Sequence, residues 1–208
     1  MSKKEIEYYF TIEQSTTAEY KDRGSKFIAF AFSIVDVDDV KKHLTKLKKE
    51  HPKAVHHCYA YSIGTDGNNF RVNDDGEPSG SAGKPIYNQI ISKQLCNVLV
   101  VVVRYFGGTL LGVPGLINAY KMSAMLALQT VPVVQKPIEI NYNIHCDYTR
   151  VNDVMTILKQ CNATIIQQEQ QLFCNIIVGI PKVRLQEALF KLEQLHTIEV
   201  KKVQTTTK

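Results

Sequence analysis

Two glycine-rich stretches hold the residues of this 208-residue sequence whose types and spacing could do chemistry. The first runs Asn73-Asp74-Asp75-Gly76-Glu77-Pro78-Ser79-Gly80-Ser81-Ala82-Gly83-Lys84-Pro85 and leads into a helix predicted from about Pro85 to Gln94. The second runs Arg104-Tyr105-Phe106-Gly107-Gly108-Thr109-Leu110-Leu111-Gly112-Val113-Pro114-Gly115 and leads into a helix predicted from about Pro114 to Leu128. Each delivers the chain to a helix N-terminus, where unpaired backbone N–H groups and the positive dipole end suit an anion. Glycine lets the backbone approach that anion closely or take positive φ. Neither stretch fits GxxxxGK followed by Ser or Thr, which excludes a Walker-type nucleotide loop. Arg104 and Tyr105 come where an apolar strand leaves the core, so a planar cation and an aromatic ring should emerge beside flexible glycines. Arg pairs bidentately with phosphate, and Tyr can stack on a base.

Catalytic arrangements are weaker. Asp74, Asp75 and Glu77 cluster three carboxylates that could hold Mg²⁺, but Asp-Asp-Gly-Glu-Pro is also strong turn chemistry, and the turn is the favoured reading. His56 and Cys58 point to one face of a strand, with His57 on the other. Two ligands fall short of the three or four that zinc needs, and a spacing of two along a strand does not aim a thiol at an imidazole. Ser79, Ser81 and Ser123 lack a basic partner, and no GxSxG occurs. The sequence therefore assigns no catalytic residue, no metal and no cofactor, and reads more as a binding protein than as an enzyme.

The elements that must position these residues follow from periodicity. Strands are predicted at Ile6–Glu13, Ser25–Val35, Val55–Ile63 and Asn97–Val103. Val98 to Val103 is apolar at every position, as in a strand buried on both faces. A helix over Val37–Lys49 has Asp36 as its cap, an apolar stripe of Val37, Val40, Leu44 and Leu47, and Pro52 beyond its end. Lys41, Lys42, Lys46, Lys48 and Lys49 make its outer face a solvated one. A linker through Pro132 and Pro137 divides two domains, 1–136 and 137–208.

In the second domain Ile138, Ile140, Tyr142 and Ile144 alternate with polar residues, the period of a half-buried strand. Asp147 offers an N-cap to a helix carrying Val151, Val154, Ile157 and Leu158. Strands follow near Ala163–Gln168 and Leu172–Gly179. Pro181 suits the first turn of a helix with Val183, Leu185, Ala188, Leu189 and Leu192, before a last strand at Thr197–Val203. The order is the split βαβ, ferredoxin-like one.

Apolar residues make up 44% and charged residues 22%, the mix of a globular protein rather than a disordered one. The charged N-terminus has no apolar core behind it, and no apolar run approaches a membrane span, so a cytoplasmic location is expected. Five scattered cysteines form no CxxC pair and read as small buried apolar residues. Net charge is +5; residues 1–136 hold 17 Lys and Arg against 13 Asp and Glu, or +4, and the rest 8 against 7, or +1. The basic excess in the first domain hints at an anionic partner there.

Asp74 to Pro85 resembles the hallmark segment of the IMPACT/YigZ family. Val100-Val101-Val102-Val103-Arg104-Tyr105-Phe106-Gly107-Gly108 with Leu111-Gly112 resembles its second signature. Lys21-Asp22-Arg23-Gly24-Ser25-Lys26-Phe27-Ile28-Ala29 and His56-His57-Cys58-Tyr59-Ala60-Tyr61 resemble two more. The match covers roughly residues 15 to 130. It implies an α+β protein whose first domain is similar to the second domain of ribosomal protein S5, a fold shared by the fourth domain of elongation factor G and the GHMP small-molecule kinases. The second domain is similar to the C-terminal domain of elongation factor G. Eukaryotic relatives regulate translation by binding a kinase activator through an additional N-terminal domain, so that partner is not carried over here.

The leading expectation is a cytoplasmic protein that binds RNA or the ribosome and acts on translation. Arg23, Lys26, Arg71, Lys84, Arg104 and Lys121 are the expected backbone contacts, with Tyr105 stacking and Gly107 and Gly108 donating N–H groups. A second reading is an enzyme acting on a phosphorylated small molecule, the glycine loops cradling phosphate and Asp74, Asp75 or Glu77 holding a metal. That reading calls for a concave pocket between the two loops. A third is a protein-interaction module whose C-terminal sheet docks a partner. No membrane contact is expected, and the sequence sets no oligomeric state.

Overall fold

The computed structural model describes residues 7–170 and 173–203. In chain order the elements are β1 (Tyr8–Ile12), β2 (Thr16–Asp22), β3 (Ser25–Ser33), α1 (Val37–Glu50), β4 (His56–Ile63), β5 (Asn69–Asn73), α2 (Gly83–Ser92), β6 (Val98–Tyr105), α3 (Gly112–Gln129) and β7 (Val133–Pro137). There follow β8 (Glu139–Cys146), α4 (Val151–Gln160), β9 (Thr164–Gln170), β10 (Cys174–Pro181), α5 (Leu185–Glu193) and β11 (Ile198–Lys202). The backbone divides into two compact units. One is Tyr9–Lys136; the other comprises the described residues from Pro137 on, with Glu7 and Tyr8. The Ile6 and Leu172 ends of two predicted strands, and the tail after Val203, lie outside the described residues.

In the Tyr9–Lys136 unit, an antiparallel sheet runs β2-β3-β6-β4-β5. Its centre is β6, buried from Val98 to Arg104 because helices cover both faces. Val98, Val100 and Val102 pack with Phe27, Ala29, Ala31, Cys58 and Ala60 beneath α2 and α3. Leu99, Val101 and Val103 pack with Tyr61, Ile63 and the Val40, Leu47 stripe of α1 on the opposite face. That alternation follows from the two-residue period of a strand.

Asp36 caps α1 as expected, its Oδ1 accepting from the Asp39 N–H at 2.9 Å. The lysine face of α1 is partly neutralised at the surface: Lys41 pairs with Asp38, Lys42 with Asp39 and Lys46 with Glu50. Three strands escape the periodic reading. β2 is joined to β3 by a two-residue turn, Arg23 and Gly24, both with positive φ (44° and 79°), as a hairpin of this length demands. β5 is an edge strand in a polar segment. β7 occupies the predicted linker and pairs with β1, since two short strands can satisfy each other's backbone without a long apolar run.

The second unit is β-α-β-β-α-β with antiparallel strand order β11-β8-β10-β9. Ile144, Cys146, Cys174, Ile176, Val178 and Ile180 line its buried face with Val154, Leu158, Ala188 and Leu192 from the helices. Two local expectations are corrected. The Asp147 carboxylate makes no cap bond; its backbone carbonyl instead starts a short 3-10 turn, Tyr148–Arg150, ahead of α4. Pro181 ends β10 rather than opening α5, which begins four residues later after a second 3-10 turn. Among the described residues no helix is long and apolar enough to cross a membrane.

Candidate functional site

The register of the five-stranded sheet places Phe27, Arg104 and His56 side by side on β3, β6 and β4. Arg104 is the last buried residue of β6, only 6% exposed. Its guanidinium lies between two rings, 5.4 Å from the centroid of Phe27 and 5.7 Å from that of Phe106. Arg104 Nη1 donates to Glu77 Oε1 at 2.6 Å, and the Tyr120 hydroxyl of α3 donates to the same oxygen at 2.7 Å. His56 completes the cluster: its Nδ1 donates to the Asp75 carbonyl at 2.7 Å, and its Nε2 stands 3.9 Å from Glu77 Oε1.

The Asp74–Pro78 loop is therefore wired into the sheet by its own carboxylates. Asp74 accepts from three backbone N–H groups, those of Gly80, Ala82 and Gly83 at 2.9, 3.0 and 2.8 Å. Burial alone would raise the Asp74 pKa; those three donors outweigh it and hold the carboxyl below its usual range. Asp75 Oδ2 accepts from the His57 N–H at 2.7 Å. The three acidic side chains thus diverge onto separate protein donors instead of converging on one point. The α2 N-terminus, expected to receive an external anion, is filled by Asp74.

Cys58 and His56 share the face toward this loop, with His57 on the other, as the strand period requires. The Cys58 thiol lies 3.0 Å from the Asp74 carbonyl and 3.3 Å from the Tyr120 hydroxyl. Burial pushes the Cys58 thiol and the Tyr120 phenol well above their ordinary values, so neither is a nucleophile at neutral pH. Burial pushes the His57 imidazole down.

A concave cleft of about 380 Å³ opens over this cluster. Arg104, Glu77 and His56 form its polar part, and Val55, Phe106, Leu110 and Val113 its apolar walls. Helix α3 starts on its rim, and among the described residues no side chain caps that helix.

The expected contact residues fall into two groups. Arg23 sits at the tip of the β2–β3 hairpin, whose Gly24 abuts Gly107 so closely that a Cβ on either would overlap the other's backbone. Gly108 beside it has φ +86° and open space around it. Lys84 is exposed in the first turn of α2, next to the Asp74 cap. Lys26 pairs with Glu19 at 2.6 Å. Arg71 lies midway along the edge strand β5, and Lys121 on the exposed side of α3.

Three residues differ from their expected disposition. Arg104 does not emerge as a free cation, because Glu77 and two aromatic rings enclose it. Tyr105 turns to the opposite face, its hydroxyl 2.8 Å from His51 Nδ1. The Gly107 N–H is likewise engaged, by Ser25 Oγ at 3.2 Å. Sequence reasoning passed over Tyr120, Phe27 and Phe106. Tyr120 had a usable signal, since a tyrosine on the apolar stripe of a helix needs a partner for its hydroxyl.

Residues 23–128 match the Impact N-terminal domain family. The chain is 34% identical to the IMPACT family member YigZ of Escherichia coli (strain K12), over 82% of this chain and 84% of that protein. A solved structure described as a hypothetical protein superposes with a TM-score of 0.76 at 29% identity, covering 96% of this chain and 99% of that one. Another, of the two-domain translational regulator Yih1, matches at 26% identity over 59% of this chain and 47% of that one, with a TM-score of 0.35. Fold and site together define a mixed α/β protein of two units, with a buried Glu–Arg–Tyr cluster under a cleft in the first. The chain belongs to the IMPACT family.

Proposed function

We propose that this chain regulates translation by binding RNA or the ribosome through its Tyr9–Lys136 unit. The observation that carries this reading is the packing of the Arg23–Gly24 hairpin tip against Gly107. It sets an exposed arginine, without an ion pair among the described residues, beside the open backbone of Gly108. A flexible cation next to an unobstructed glycine is the local chemistry that a phosphodiester backbone needs. Lys84 adds a second exposed cation at the helix start held by Asp74. The resemblance of this family to translation-factor domains agrees with that chemistry.

The same reading takes 137–208 as a ferredoxin-like domain akin to the elongation factor G C-terminal domain, and 1–136 as S5 domain 2-like. The strand order β11-β8-β10-β9 supports the former, and the packing of α2 and α3 together on one face of the antiparallel sheet supports the latter.

The test is co-sedimentation with ribosomes and filter binding of tRNA at low and moderate salt, with Arg23→Ala and Lys84→Ala beside the wild type. Each substitution is expected to weaken binding and to reduce the salt slope by roughly one. Binding indifferent to salt, or to both substitutions, would sink the proposal. Arg104→Ala is a poor probe, because it empties a buried ion pair and reports on folding. The cleft beside this surface is concave, which favours a ligand small enough to enter it.

A further inference from the structure

We infer that the cleft over Glu77 and Arg104 binds a small organic anion, a single carboxylate or phosphomonoester carried on an aromatic or aliphatic body. This site adjoins the RNA contact proposed above but does not depend on it.

Three observations converge on one cavity. The N-terminus of α3, an 18-residue helix, reaches the cleft through Gly112 and Val113, and among the described residues no side chain caps it. The α2 N-terminus, by contrast, is closed by Asp74. Helix N-termini leave N–H donors and partial positive charge to be satisfied by something. Arg104 then lines the same cleft while nine-tenths buried, and its Nε has no hydrogen-bond partner among the described residues. Buried donors are rarely left this way, and an unmet one at a cavity wall is a place for a ligand acceptor. The remaining wall is apolar, and it is open: Leu110 is 81% exposed and Phe106 48%.

Charge limits the ligand. The Arg104 cation is already matched by Glu77 at 2.6 Å, so the pair is neutral. What is left is the fractional positive charge of one helix end and an unused Nε–H. That suits one anionic group, and a polyphosphate would bring charge the cleft does not offset. Size and lining limit it too. About 380 Å³ falls in the range of small-molecule sites, and such sites are mostly apolar with a few placed polar groups. Inorganic phosphate would leave Phe106, Leu110 and Val113 uncovered. A neutral aromatic would leave the helix end and Arg104 Nε unmet.

Calorimetric and NMR titration of the full chain should compare phenyl phosphate and 3-phenylpropionate with inorganic phosphate and 3-phenylpropanol. At least one aromatic anion is expected to bind roughly tenfold or more tightly than either control, since apolar burial and the anion contact both contribute. The two anions separate the phosphate source from the carboxylate source. Val113→Asp supplies α3 with a carboxylate of its own, which favours the helix and competes with the ligand, so binding should fall at least tenfold. Leu110→Ser, at an exposed position, should weaken the aromatic anion and leave inorganic phosphate unchanged. Equal affinity for all four probes, no binding by either aromatic anion, or binding untouched by both substitutions would overturn the inference. The tRNA assay on Val113→Asp keeps the two proposals separable: retained tRNA binding with lost anion binding supports the cleft ligand. Retained tRNA binding with no anion binding to wild type removes the cleft ligand alone.

Discussion

Glu77 Oε1 receives both Arg104 Nη1 at 2.6 Å and the Tyr120 hydroxyl at 2.7 Å, and so ties a surface loop, the central strand and helix α3 at one buried atom. The pair is almost entirely out of water, with side-chain exposures of 7% for Arg104 and 3% for Glu77. Removing one partner leaves the other charge buried and uncompensated. Glu77→Ala should therefore lower the unfolding free energy by about 3–5 kcal/mol, read from urea denaturation. Tyr120→Phe keeps the ion pair and should cost only about 1 kcal/mol. A Glu77→Ala loss no larger than that of Tyr120→Phe would mean that the pair does not hold the loop.

The Asp74 carboxylate stands where a helix cap would, at three N–H groups around the start of α2. Asp74→Ala should destabilise the protein by about 2 kcal/mol, because these donors lose their acceptor. The pH dependence has a definite sign. The folded pKa lies below the unfolded one, near 3.8. The contribution is therefore complete above the unfolded value and disappears as pH falls through the folded one. In acid titrations of stability, Asp74→Asn should show a shallower decline below about pH 4 than wild type. Parallel curves would show that Asp74 is not a linked group.

Gly107 and Gly108 are adjacent but required for different reasons. A Cβ at Gly107 would run into the backbone of Gly24 and Ser25, neither of which can yield without opening the β2–β3 hairpin. At Gly108 there is free space, and only the φ of +86° disfavours a side chain. Gly107→Ala should cost on the order of 3 kcal/mol or more, and Gly108→Ala roughly 1–2 kcal/mol. Thermal unfolding of the two variants gives the ranking directly, and the reverse order would contradict the hairpin contact.

The amino-acid sequence determined what depends on near neighbours. The all-apolar run from Val98 to Val103 could only be a strand covered on both faces, and it is the centre of the sheet. Asp36 ahead of an apolar stripe spaced three and four residues apart fixed the start of α1, and Asp-Asp-Gly-Glu-Pro fixed a turn. Those signals are local because capping bonds, turn torsions and side-chain periods are settled within a few residues. The strands β2, β5 and β7 were hidden, since short edge strands draw their stability from a partner distant in the chain. Only the tertiary structure decided which way the functional side chains are spent. Glu77, Arg104 and Tyr120 are up to 43 residues apart, and the packing of α3 against the sheet alone brings them to one oxygen. The same packing turned Arg104 from an expected free cation into a buried ion. It also closed the helix start at Gly83 with Asp74, while leaving the one at Gly112 open over a cleft. The physical reason is that a charge's solvation depends on everything around it in space, and the sequence records only what lies beside it along the chain.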